Sequence, residues 1–115
     1  MGVVSMRADL AAAVSTVAGV TGYPYRPPAP REGDAWPLMG SMDRDGDSGQ
    51  FAATWRLIVM LPQAEHAASM FMDERLWDLV DAVAEFGWVD RMNPALVITS
   101  AGDQNAIEIQ LRGEM

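Results

Sequence analysis

The stretch from Phe51 to Leu61 reads Phe-Ala-Ala-Thr-Trp-Arg-Leu-Ile-Val-Met-Leu, and it has the clearest pattern in the chain. Apolar side chains at every second position predict a β-strand, because successive side chains of a strand point to opposite faces. Toward its end both faces are apolar, which is typical of a strand in the middle of a sheet with protein on each side. Since Pro62 stops it, we expect a central strand over residues 50–62.

Two amphipathic helices are predicted, one before this strand in the sequence and one after it. In residues 5–18, Met6, Leu10 and Val14 fall on one helical face. Residues 65–86 predict a longer helix that ends at Gly87. Its apolar stripe consists of Ala68, Met72, Leu76, Leu79, Val80 and Val83. Both stripes are suited to packing on a sheet.

Residues 22–49 separate the first helix from the central strand. Five of the seven prolines lie between positions 24 and 37, so neither a helix nor a central strand is expected there. We expect an extended arm, followed by an exposed acidic turn at residues 43–49. Residues 95–112 predict a β-hairpin whose turn spans residues 101–105, with Ile107, Ile109 and Leu111 inward and Glu108, Gln110 and Arg112 outward.

The elements together predict a single α+β domain over residues 1–115. It has a small mixed or mostly antiparallel sheet, with an N-terminal helix and one long helix packed on it and the Pro-rich arm in between. A chain of 115 residues, half of them apolar, suits one domain. No apolar run is long enough to span a bilayer. Residues 1–20 do not predict a signal peptide, because Asp9 offsets Arg7 and polar residues dilute the run, so we expect a cytoplasmic product.

Charge and composition exclude several classes of chemistry. The net charge is −8, there is no cysteine, and all eight basic residues are arginine. The absence of lysine excludes Schiff-base chemistry and a P-loop, and the absence of cysteine excludes thiol nucleophiles and thiolate metal sites. Nucleic-acid wrapping requires clustered basic residues. The composition therefore favours protein partners.

Two motifs invite a chemical interpretation. Asp43, Asp45 and Asp47 match the first ligand positions of a calcium loop, but Ser48 and Thr54 stand where that loop requires Gly and Glu. The single histidine, His66, has neither a Gly-x-Ser-x-Gly elbow in the sequence nor a second metal ligand four residues on. We expect no catalytic residue, no metal site and no cofactor, and His66 exposed on a helix.

An acidic stripe runs along the long helix at Glu74, Asp78, Asp81 and Glu85. A solvated helix face is the ordinary interpretation. Two sharper interpretations stay open. The stripe either lines a passage through which a polyanion slides, or meets arginines of a neighbouring subunit.

The tryptophans raise a second choice between core and interface. Trp36 and Trp88 lie in segments predicted to be irregular, where a small sheet offers little cover. Exposed large aromatic residues in such places indicate an interface, although the core is the commoner fate of any one of them.

Three stretches carry a family resemblance. They are Val-Thr-Gly-Tyr-Pro-Tyr-Arg-Pro at residues 20–27, Gly-Asp-Ala-Trp-Pro at 33–37 and Thr-Trp-Arg-Leu-Ile-Val-Met-Leu-Pro-Gln at 54–63. With the element order, they resemble the tail terminator proteins of long-tailed bacteriophages, in particular phages of actinobacteria. The resemblance covers nearly the whole chain, and the arginine-only, Ala- and Asp-rich composition suits such a high-GC source.

The resemblance implies a structural virion protein of the phage tail, assembled in the host cytoplasm. Six copies would form a ring on the last ring of the major tail tube protein, terminate tube growth and join the tail to the head-tail connector protein. DNA would pass through the ring without specific binding, and no membrane or enzyme activity is implied.

A closed ring needs two different complementary patches on each subunit. For the subunit interface we predict Tyr23, Tyr25, Trp36, Leu38, Met39, Trp88 and Arg91. Facing the tube or the lumen we predict Asp43, Arg44, Asp45, Asp47, Glu74, Asp78, Asp81 and Glu85. Other functions stay open: another neck or tail-completion protein, a monomeric binding module that would bury Trp36, or a small hydrolase using His66.

Overall fold

The computed structural model describes residues 3–44 and 51–114. It is an α+β fold with two helices, an additional 3-10 turn and a five-stranded mixed sheet. The elements in chain order are α1 (Val3–Val14), β1 (Thr21–Gly22), β2 (Asp34–Arg44), β3 (Phe51–Met60), α2 (Glu65–Val83), the 3-10 turn (Ala84–Phe86), β4 (Trp88–Thr99) and β5 (Gly102–Glu114).

The sheet has the strand order β1-β2-β3-β5-β4. Only β1 and β2 run parallel, and the other neighbours are antiparallel. β3 lies in the middle, and Leu57, Ile58, Val59 and Met60 are all buried. The prediction of a central strand covered on both faces is therefore confirmed.

One face of the sheet, here called the helix-covered face, carries both helices. Met6, Leu10 and Val14 of α1 and Leu79 and Val83 of α2 are buried against it. They contact inward side chains of the central strands, namely Ala53, Trp55, Leu57, Val59, Ile107, Ile109 and Leu111. The predicted stripe of α1 and the inward side of β5 are confirmed, and so are Ala68, Met72, Leu79 and Val83 of the α2 stripe, whereas Leu76 and Val80 are half-buried outside this core. No helix in residues 3–44 or 51–114 is both long and apolar enough to cross a membrane.

The opposite face, here called the free face, has a smaller apolar cluster, and neither of the helices in residues 3–44 and 51–114 packs on it. The cluster consists of Trp36, Ile58, Met60, Val97 and Ala106. Residues 23–33, which form neither helix nor strand, are the arm. Two arm residues reach this cluster: Tyr23 packs against it, and Arg26 places its guanidinium 5.9 Å from the Trp36 ring centroid and donates to the Ile98 carbonyl.

Two predicted boundaries in the Pro-rich and Trp88 regions are wrong. β2 begins at Asp34, so strand replaces much of the predicted arm, and β4 begins at Trp88 rather than at residue 95. Both strands contain a proline, Pro37 and Pro94. The sheet tolerates them because β2 beyond residue 35 and the whole of β4 are edges, where a missing amide donor breaks no ladder.

Smaller differences concern helix and turn lengths. α1 ends at Val14 instead of residue 18, although Val17 stays buried in the following turns. The hairpin turn is tighter than predicted, because Gly102, with a positive φ of 99°, already pairs with Thr99. The acidic turn predicted at residues 43–49 begins too early, because Asp43 and Arg44 still belong to β2; residues 45–49 lie outside the described residues.

Candidate interaction surfaces

The start of the arm is held by Arg7, a residue that the sequence did not single out. Its Nη1 donates to the Pro24 carbonyl at 3.1 Å and to the Pro37 carbonyl at 2.9 Å. The same guanidinium lies 4.7 Å from the Tyr25 ring centroid and 5.4 Å from that of Trp55. Such cation–π contacts fix an aromatic ring over a charge. Tyr25 is thus held on the surface, more than half exposed.

The other arm and β2 positions predicted for an interface are less accessible. Tyr23, Leu38 and Met39 are half-buried against the two apolar clusters. Trp36 is only 1% exposed, so its inclusion as an interface residue is wrong. It lies within β2 on the free face, between Ile58 of β3 and Arg26 of the arm. A monomeric binding module would also bury Trp36 within a single chain.

Trp88 and Arg91 lie on the open half of the free face, beyond the arm. Trp88 is 74% exposed and pairs with Arg112, while Arg91 pairs with Gln110. Arg56, on β3, pairs with Gln110 from the other side. We call Arg56, Trp88, Arg91 and Arg112 the arginine face. Both predicted residues at this end are exposed, and the structure adds two more arginines.

Glu108 is the only acidic side chain that is buried in the described part of the chain, and it neutralises the charge of Arg56. It accepts hydrogen bonds from Arg56 Nε and, at 3.1 Å, from Gln110 Nε2. Burial acts to raise the pKa of Glu108, but the two hydrogen bonds and the Arg56 charge outweigh it, so the pKa lies below the ordinary value. The sequence correctly predicted Glu108 on the opposite face from Ile109, but as an exposed residue. Arg91 and Arg112 have no carboxylate partner among the described residues.

The predicted acidic stripe lies on the outer side of α2 and the 3-10 turn. Glu74, Asp78, Asp81 and Glu85 are all exposed, and we call them the acidic helix face. Glu74 has a basic neighbour, because the guanidinium of Arg75 lies 3.9 Å from its carboxylate. Trp77 adjoins the stripe and is 67% exposed, although the sequence did not single it out as a surface residue.

A groove borders the acidic helix face where α2 approaches the end of α1. Its volume is about 510 Å³. Asp78 and Asp81 line one side together with Ala82, and residues 16–18 line the other. The groove therefore joins two carboxylates to a partly apolar wall.

The outer edge of β4 is a third surface that the sequence did not predict. Leu96 is 65% and Ile98 75% exposed on this strand. Leu96 and Pro94 also line a cleft of about 580 Å³ between β4 and the start of α2. An edge strand with exposed apolar side chains is open to association with another chain.

The remaining candidate residues are His66 and those of the acidic turn. His66 is exposed in the first turn of α2, as expected. Asp43 and Arg44 are exposed at the end of β2, whereas Asp45 and Asp47 lie outside the described residues. No group of three or more potential metal ligands occurs within residues 3–44 and 51–114.

Neither a search of protein-family models nor a search of curated proteins finds a match for this chain.

Proposed function

We propose that this chain is the subunit of a ring that caps a bacteriophage tail tube and joins the tail to the head connector. The proposal comes from the sequence resemblance and is supported by one structural observation. Trp77, Trp88 and Ile98 are each at least two-thirds exposed and lie on three separate parts of one small subunit. A subunit that contacts neighbours on two sides and a tube on a third needs several such surfaces.

In this function the protein acts by binding neighbouring subunits and the tube through complementary surfaces, and not by catalysing a reaction. Asp43 and His66, the described residues of the two motifs that invite a chemical interpretation, are both exposed. Glu108, the buried carboxylate of the described residues, is satisfied by hydrogen bonds from Arg56 and Gln110. This arrangement suits a structural subunit.

Tube capping is tested by adding the purified chain to growing polymers of the cognate tail tube protein. We expect short tubes with an extra ring of density at one end in negative-stain electron micrographs. Bovine serum albumin at the same concentration serves as the control for non-specific shortening. Tubes that grow to the same length with and without the chain, and that carry no end ring, would overturn the proposal.

A monomeric binding module is the second candidate, and the burial of Trp36 favours it. In that case the chain would stay at 12.5 kDa in solution and would not bind tubes. The tube experiment separates the two functions, because a module of this kind has no reason to stop polymer growth.

A further inference from the structure

Two surfaces of opposite charge lie on opposite layers of the subunit. The arginine face belongs to the free face of the sheet, and the acidic helix face belongs to α2 on the other side. We propose that these surfaces bind each other between neighbouring copies of this chain. The proposal rests on the proposed ring and adds which surfaces form its subunit contact.

The arginine face has positive charge available for a partner. Glu108 is already bonded to Arg56, so it does not neutralise Arg91 or Arg112. Both of these side chains are exposed next to the indole of Trp88. On a chain of net charge −8, two guanidinium groups with no carboxylate partner in residues 3–44 and 51–114, beside an exposed tryptophan, form a distinct local patch. Arginine and tryptophan are also the residues that most often dominate binding energy at protein interfaces.

The acidic helix face offers the matching charge and a concave surface. Asp78 and Asp81 line the groove between α2 and residues 16–18, and neither has a basic partner among the described residues. Val17 and Ala82 give the groove an apolar lining. An indole ring can bury itself against such a lining while neighbouring guanidinium groups pair with the carboxylates.

The spacing of the charges agrees on the two surfaces. Asp78 and Asp81 are three residues apart on a helix, which places their Cβ atoms roughly 5–6 Å apart. Arg91 and Arg112 are diagonal neighbours on adjacent strands, with a separation of roughly 7–8 Å. The long arginine side chains easily cover this difference, so both ion pairs can form in one contact.

This contact also decides between the two open interpretations of the acidic stripe. The acidic helix face is the surface where four exposed carboxylates follow one another along α2 and the 3-10 turn and border a groove, so it offers the arginine face the denser set of opposite charges. Pairing the two surfaces gives each subunit one donor and one acceptor patch, which is the head-to-tail contact that closes into a ring. Nucleic acid is a weaker choice of partner for the arginine face, because the net charge of −8 repels it.

Charge reversal on each surface tests the contact. Asp78→Arg/Asp81→Arg and Arg91→Glu/Arg112→Glu are each made in the full chain, and native mass spectrometry gives the assembly state alone and on tubes. Each double variant alone is expected to be monomeric, with a subunit dissociation constant raised at least about 100-fold. An equimolar mixture is expected to restore assemblies of strictly equal composition, because each reversed surface now matches the other variant.

Two controls protect this result against misfolding and non-specific charge effects. Circular dichroism and thermal melting of both variants establish that they fold. Asp103→Arg, an exposed reversal at the distant hairpin turn, is expected to assemble like the natural sequence.

The outcomes separate the two proposals. If either double variant assembles alone like the natural sequence, or if folded variants fail to assemble when mixed, the proposed contact is overturned and the ring proposal stands. If Arg91→Glu/Arg112→Glu still forms rings but no longer binds tubes, or binds DNA less than the natural chain while rings persist, the arginine face serves the tube or nucleic acid instead. A natural chain that is monomeric both alone and with tubes overturns the ring itself.

Discussion

At the residue scale, Trp36 and Trp88 both belong to the free face of the sheet, one within reach of the arm and one beyond it. In the sequence their surroundings look alike, since each precedes a residue typical of turns within two positions. Their difference comes from long-range packing. Trp36 has β3 beside it and Arg26 above it, while Trp88 starts an edge strand. The local sequence does not indicate that β3 and Arg26 cover Trp36, or that Trp88 begins an edge strand.

Alanine at the two tryptophans should therefore have opposite consequences. Trp36→Ala removes a buried ring and is expected to lower the free energy of unfolding by about 3–5 kcal/mol. Trp88→Ala is expected to change it by less than about 0.5 kcal/mol and to weaken self-association instead. Urea denaturation and sedimentation velocity measure the two effects. Equal destabilisation by both substitutions would contradict the assignment of Trp88 to an interface.

The Arg56–Glu108–Gln110 cluster predicts a specific pH dependence. The pKa of Glu108 is lowered in the folded state, so its ionised form stabilises the fold above the ordinary carboxyl pKa of 4.5. This contribution is lost as the pH falls below that value through the folded-state pKa. At neutral pH, Glu108→Gln is expected to cost about 1 kcal/mol, a modest figure because Arg56 is half exposed.

The measurement for Glu108 is chemical denaturation across the acidic range. The gap between the natural chain and Glu108→Gln should shrink as the pH falls. In an Arg56→Met background the same substitution should cost less, because one hydrogen bond and the favourable charge are already gone. A gap that is constant with pH would show that Glu108 does not act through its charge.

At the element scale, the sequence predicted those elements whose periodicity is strong. The alternation in β3 and the stripe of α2 each exceed two turns or pleats, and both elements appear within a few residues of the predicted bounds. Most of β2 and the start of β4 were not predicted, because both strands contain a proline and Pro is compatible with a strand only at an edge. Whether a strand lies at an edge depends on the whole sheet. β1 has two residues and no detectable pattern.

Gly22 shows the close packing that this short strand requires. A Cβ atom at this position would lie 2.0 Å from the Ala11 carbonyl oxygen of α1, and the Gly22 amide donates to Ser15 Oγ at 2.8 Å. Backbone therefore meets backbone where α1 crosses β1. The sequence gives no sign of this contact, because a glycine beside prolines is equally typical of an extended loop.

Gly22→Ala is expected to destabilise the chain by about 3 kcal/mol or more, because main-chain atoms of α1 must move. Gly102→Ala is the matched control: its φ of 99° strains an alanine, but a Cβ there meets nothing within 4 Å. A cost of about 1–2 kcal/mol is expected for the control. Thermal melting of both variants checks the difference, and equal melting temperatures would contradict the packing of α1 on β1.

At the scale of the whole molecule, the distribution of charge was more predictable than the distribution of aromatic surface. A helix exposes every residue on its outer side, so the acidic stripe of α2 follows from spacing alone. The arginine face combines residues from β3, β4 and β5 that are far apart in sequence. The strand register alone brings them together, and no local pattern contains that register.

The proposed function requires that this chain assembles with copies of itself. Sedimentation velocity over a concentration series, with the chain alone and with tail tubes, measures this assembly. We predict a mass several times 12.5 kDa, close to that of six subunits, either free in solution or in the fraction bound to tubes. A single 12.5 kDa species at every concentration, with none of it bound to tubes, would show that the chain does not form a ring.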